Sequence, residues 1–419
     1  MDIFLDWARG HCIPLSGPLS EIDGPLLAII GDARLVSLGE GLHGAREPLD
    51  FRNALFVWLV ERLQFRAMGL ESGRSAGLAV DAYVQGGPGQ AVEVVAEGIT
   101  SGLHAFPQQA ELVRWMREFN ASAPAARRLS FHGIDTSALA GQPGAALDVA
   151  LTYLNRCDPS AARRFREKLQ PAWPLLAVDR MAPEPGAYTT LSEAQRDAVT
   201  ATVADLIALV EIHEAGYTAC TSTADHQRGL DAALAARQAD LYLRQFPPGW
   251  SAAQGVAAIW PSVALSDRVK ADNVERALQR LGSGGRMMLF AHLGHASTLP
   301  VSIQLGNESI ALPAMMGSWL ERRFGSELLT IGHLIGDNRC ESAVGKATPE
   351  SLEGRLATLG HAAFLLDLRR APAPVLAELQ RSAHPLHGQM PVHVLSPGLG
   401  IDVIFFTAQA RPARSEESP

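Results

Sequence analysis

One recurring unit constrains this chain more than any single motif. An apolar, strand-like run ends in a polar residue, and an amphipathic helix follows. ARLVSLGE (33–40) leads to EPLDFRNALFVWLVERLQ (47–64), where Phe51, Leu55, Leu59 and Leu63 share one helical face. FRAMGLES (65–72) leads to helical GLAVDAYVQG and AELVRWMREFNAS (110–122), and RLSFHGID (128–135) reads as a third strand. Strands alternating with helices at these lengths predict an α/β fold built on a mostly parallel sheet.

From about 144 the strands stop. GAALDVALTYLNRC, SAARRFREKLQPAW, LSEAQRDAVTATVADLIALVEIHEA and DHQRGLDAALAARQADLYLRQF are helical by length and period. Residues 144–250 are therefore expected to form an all-helical insertion, with links at 181–190 and 247–250. The α/β core is expected over 1–143 and 251–419, resuming with the helix DRVKADNVERALQRL (267–281) and the strand RMMLFAH (286–292). Further strands are read at 328–335, 361–368 and 401–408, ahead of a frayed tail, ARPARSEESP.

The totals suit a packed globular protein: 419 residues, 47% hydrophobic and 19% charged. A net charge of −8 without a dense Lys/Arg run argues against nucleic acid or an anionic membrane as partner. No apolar stretch reaches the roughly 18 residues of a membrane span, and the acidic N-terminal segment is unlike a signal peptide, so a cytoplasmic location is expected. Four separated cysteines, Cys12, Cys157, Cys220 and Cys340, indicate neither a disulfide framework nor a zinc knuckle.

The polar residues gather at strand ends. VSLGEGLHGAREP (36–48) places Glu40, His43, Arg46 and Glu47 among three glycines. Glu71 closes the second strand, His132 and Asp135 the third, and His292 and His295 the strand at 286–292. In a parallel sheet these ends face one way and ligands bind outside them. Each residue taken singly has an ordinary structural use: Glu47 can favour a helix N-terminus, Asp135 can cap a turn, and Arg46 and Arg52 can be solvated helix positions. The joint arrangement points to a pocket of carboxylates and imidazoles, with Arg46, Arg52 and Arg74 near by.

An imidazole can take a proton from water while a carboxylate fixes its tautomer, and further imidazoles can donate to an oxyanion. That suits ester or lactone hydrolysis by direct water attack. No GxSxG elbow or phosphate-binding glycine loop is present, which disfavours a serine hydrolase and a nucleotide cofactor. No cofactor is expected; the alternative is a divalent metal held by His292 and His295 at i, i+3 with Glu40, His43 and Glu71.

With these residues collected, the chain resembles the erythromycin esterase family. The resemblance rests on Gly39-Glu40-Gly41-Leu42-His43, on Leu70-Glu71, on Trp115, Arg117 and Asn120, on Gly133-Ile134-Asp135, and on Ala291-His292-Leu293-Gly294-His295. The first and last segments, WARGHCIPL and FFTAQARPAR, are also similar to the family's. It implies hydrolysis of a macrolide lactone by water, without a covalent intermediate, and an α/β core with an all-helical insertion forming one side of a large cleft. His43 would be the general base, oriented by Glu40, with Glu71, His292 and His295 completing the site and Arg74 lining the pocket. Arg52, Glu47 and Asp135 are the further candidates for substrate binding, and the substrate expected is a bulky small molecule.

Three positions depart from the family pattern. Leu42 stands where a Thr or Ser is usual, Leu293 where an Asn is usual, and Ser266 where a basic residue is common. They suggest a changed substrate. The alternative reading is a tailoring enzyme of natural-product biosynthesis that uses the same pocket for elimination or for ring opening and closure.

Overall fold

The fold is given by a computed structural model that describes residues 2–136, 143–176, 186–246, 260–299, 302–305, 308–311, 314–340, 345–381, 384–385, 393–396 and 400–413. Of the expected links and tail, 181–185, 247–250 and 414–419 lie outside the described residues. The chain packs into two compact units. The first comprises Met1–Glu71, Ala105–Ser130 and Ala271–Pro419, and the second Ser72–His104 and Phe131–Lys270.

Eight strands form the main sheet: β1 (Ile13–Pro14), β2 (Leu35–Glu40), β3 (Ala67–Gly73), β4 (Ser130–Asp135), β5 (Met287–His292), β6 (Leu328–Ile335), β7 (Ala363–Asp367) and β8 (Val403–Thr407). Their order is β1-β7-β8-β6-β2-β5-β3-β4. β2 pairs in parallel with β5 and β6, β3 with β5, and β8 with β6. β7 runs antiparallel to β8 and to β1. This is the expected α/β class with a mainly parallel sheet. Every residue of β2, β6 and β8 is buried, which accounts for their continuous apolar character.

The helix Arg46–Leu63 buries Phe51, Leu55 and Leu59 of the expected face and leaves Leu63 half-buried, and it also buries Leu49, Phe56, Trp58 and Arg52. It ends at Gln64 in the left-handed region, φ 59°. The first unit also contains an antiparallel sheet in the order His384–Pro385, His393–Ser396, Ser302–Leu305, Glu308–Ala311.

The second unit includes the described residues of 144–250 and adds Ser72–His104 and the described parts of 131–143 and 251–270. Its helices Pro143–Cys157, Pro159–Leu169, Glu193–Ile212 and Thr223–Leu243 enclose Ala150, Leu154, Phe165, Val203, Leu206 and Leu243. Local signals set the helix starts. Asp158 caps Ala161 N ahead of Pro159, and Ser192 and Gln195 form a capping box. No helix among the described residues is long and apolar enough to cross a membrane.

Candidate active site

Strand register brings the expected residues together within the first unit. β2 and β5 pair so that Glu40 lies opposite His292. β3 pairs β5 through Leu70 and Phe290, which carries Glu71 to the end of β5. Glu71 Oε2 there accepts from the His292 backbone N–H at 2.6 Å. The turn after Glu40 needs its glycines. A Cβ on Gly41 would lie 2.6 Å from the His333 carbonyl oxygen, and Gly44 adopts φ +81° with the Phe106 ring against it.

Glu40 is 1% exposed and its Oε1 lies 2.7 Å from His43 Nδ1. Burial weighs most on the His43 ring and favours its neutral form. The Glu40 carboxylate, through its charge and hydrogen bond, and Glu71 together outweigh it, and the pKa is pushed up to about 9. The imidazole is enclosed on its Glu40 side but 47% exposed as a whole, so water screens part of this attraction. Because the folded value lies above the ordinary 6.5, the pair adds stability that is complete below pH 6.5 and lost as pH rises through about 9. Thermal denaturation of wild type and His43→Gln should therefore differ most below pH 6.5 and converge above about 9. A gap independent of pH would contradict the pairing.

His292 Nδ1 accepts from the Gly294 backbone N–H at 3.1 Å, which puts the proton of the neutral ring on Nε2. The His292 ring centroid lies 5.0 Å from that of His43 and 6.3 Å from that of His295. His295 Nε2 is 3.2 Å from Glu71 Oε1. Two carboxylate–imidazole pairs thus flank one imidazole of defined tautomer. Among the described residues, no group of three or more His, Cys, Asp or Glu side chains is arranged to hold a metal ion.

The sequence model of the family described as "Erythromycin esterase" matches residues 60–391. The chain belongs to the erythromycin esterase family. The matched stretch contains Glu71, His292 and His295 and begins after Glu40 and His43. Erythromycin esterase type II of Escherichia coli is 23% identical over 344 residues, covering 78% of this chain and 76% of that protein. Among solved structures, a Bacillus cereus protein superposes with TM-score 0.78 at 19% identity, covering 99% of each chain. A succinoglycan biosynthesis protein gives 0.76 at 20% identity, covering 98% of this chain and 97% of that one. A mutant of the erythromycin esterase EreC in its open conformation gives 0.67 at 17% identity, covering 94% and 95%.

Two departures from the family pattern fill space. Leu293 is 2% exposed, and its Cδ1 stands 2.9 Å from where a Gly39 Cβ would lie and 3.1 Å from where a Gly332 Cβ would lie. Leu42 is buried with Ala45, Ile335 and Ala410. Burying a leucine is worth about 1.5–3 kcal/mol, so both residues favour the fold of the turn. Ser266, the third departure, donates to Asp135 at 3.0 Å.

The remaining candidates are held by protein partners. Arg52 is fully buried and is therefore not a solvated helix position. Its Nε and Nη2 donate to Asn53 Oδ1 at 3.0 and 2.8 Å, its Nη1 to Gln109 Oε1 at 2.8 Å, and its guanidinium lies 4.9 Å from the Phe290 ring centroid. Burial dominates and lowers its pKa to about 10, against the pull of Glu40, Asp50 and Glu111. Glu47 accepts from Arg411 Nε at 2.7 Å and from the Arg411 backbone N–H at 2.8 Å, tying the end of the described chain to the turn. Arg46 is 53% exposed and lies 3.5 Å from Asp50.

In the second unit, Arg74 donates to Asp231 at 2.9 Å and to Gln238 at 3.1 Å. Asp135 is 4% exposed and lies 3.2 Å from Lys270. His333 is fully buried, its Nε2 is 2.8 Å from Thr407 Oγ1, and burial lowers its pKa to about 3. Asn53 and Gln109, the side chains that hold Arg52, were missed. Nothing in their spacing marks them; a basic residue inside an apolar helix face was the available signal.

Proposed function

We propose that this chain is a carboxylic ester hydrolase that opens the lactone of a macrolide, or of a similarly bulky cyclic ester, by direct attack of water. The reading is carried by the 2.7 Å contact between His43 Nδ1 and Glu40 Oε1, in a ring that is nearly half exposed. With Nδ1–H given to the carboxylate, neutral His43 presents Nε2 as the base. A water at Nε2 gives up its proton as its oxygen bonds to the ester carbonyl carbon. The oxyanion formed takes a hydrogen bond from His292 Nε2–H. On collapse the ester C–O bond breaks and the leaving alkoxide takes a proton from the His43 imidazolium. The product is a hydroxy acid, one water heavier than the lactone. A bulky substrate that covers the exposed ring edge strengthens the effect of burial, lowers the imidazolium pKa and favours this last transfer. Glu71 holds the His292 backbone and His295 in position.

Family membership supports ester hydrolysis. Purified protein incubated with macrolides of several ring sizes, with and without EDTA, should yield a product heavier by one water by mass spectrometry, with EDTA making no difference. A gain abolished by EDTA would overturn the metal-free step. Loss of one water would move the reading to a tailoring enzyme, and an unchanged panel would exclude macrolides as substrates.

A further inference from the structure

Away from Glu40 and His43, the first unit contains a groove of about 470 Å³. Two helices pave it with matched faces: Val57, Trp58 and Glu61 at i, i+1, i+4 on Arg46–Leu63, and Glu111, Leu112 and Trp115 with the same spacing on Pro107–Ser122. Trp58 is 5% exposed and forms the floor; its Nε1–H is already given to Asp23 Oδ1 at 2.7 Å. Trp115 stands edge-on to Phe56, with centroids 5.9 Å apart, and is half-buried. Both charged side chains lining the groove, Glu61 and Glu111, are carboxylates. Of the nearby cations, Arg62 pairs with Asp23 at 3.2 Å, and Arg52 is fully buried against Asn53 and Gln109, where its charge interacts with Glu111 as well as with Glu40 and Asp50.

Indole rings beside two carboxylates have a definite complement. A hydrated divalent ion needs an oxygen cage and gains nothing from indole, and an anion is repelled by both glutamates. A weakly hydrated ammonium with an apolar body satisfies both, through the aromatic quadrupole and the carboxylate charge. We propose that this groove is a binding site for an organic ammonium ion, a tertiary or quaternary amine of choline-like size. It makes use of Trp115, a residue of the family pattern that the hydrolytic reaction leaves without a task, and it does not depend on that reaction.

The test is calorimetric titration of the full chain at low ionic strength with choline and with dimethylbutanol, its uncharged carbon isostere. Choline should bind, and the isostere at least about tenfold more weakly, as expected for loss of the cation–π and carboxylate attraction. Glu61→Gln and Glu111→Gln should each weaken choline binding while far-ultraviolet dichroism and the melting midpoint stay unchanged, and Trp115→Leu should weaken it with the dichroism unchanged. Equal binding of the two probes would overturn the proposal, as would no choline binding at tens of millimolar. Binding of a methyl glycoside in preference to choline would replace the ammonium with a sugar. Choline binding that survives both glutamate substitutions would place it at another acidic site and equally refute the assignment.

Discussion

His43→Gln should lower turnover by about 100-fold or more, the scale of a lost general base. The substitution suits the test because the ring is 47% exposed and is not part of the apolar core, so the fold tolerates it. Glutamine can still donate an amide N–H toward Glu40, which keeps that buried carboxylate paired. His292, with its proton on Nε2, and the Glu71–His295 pair stay in place. The residual rate therefore measures what the oxyanion donor and binding achieve without a base. A folded variant with full activity would remove His43 from the chemistry.

Arg52→Met carries the largest expected cost to stability. Methionine replaces most of the stem but leaves Asn53 Oδ1 and Gln109 Oε1 without the donors they now accept from, in a place closed to water. It also removes a buried cation that lies near Glu40 and over Phe290. Loss of one member of such a buried network costs roughly 3–5 kcal/mol. Chemical denaturation followed by tryptophan fluorescence should show an earlier midpoint for the first unit. An unchanged midpoint would mean that the guanidinium contributes nothing net to the fold.

The strand ends could be read from the sequence because a parallel sheet buried on both faces leaves polar residues nowhere else to go. Glu40, Glu71 and His292 each follow an apolar run and each reaches the same edge of the sheet. The antiparallel edge could not be read. Buried β7 and β8 look like parallel strands in composition, and β1 has only two residues. Arg52 was misjudged because arginine is rarely fully buried, and its acceptors lie 57 residues away at Gln109 as well as next to it at Asn53. Glu47 has its partner 364 residues away, a pairing that no local pattern predicts. The four-stranded antiparallel sheet was missed for the same reason, since its short strands come from distant segments.

The most direct test of the central claim is kcat/KM against pH on whichever ester is turned over, for wild type and Glu40→Gln. With neutral His43 as the base and its pKa held near 9, wild-type activity should climb about tenfold per pH unit below that value and level off above it. Glu40→Gln removes the charge that holds the proton, so its ascending limb should move to lower pH while its plateau falls. A limb at the same pH in both proteins, or a flat profile through this range, would contradict the assignment of the Glu40–His43 pair as the water-activating group.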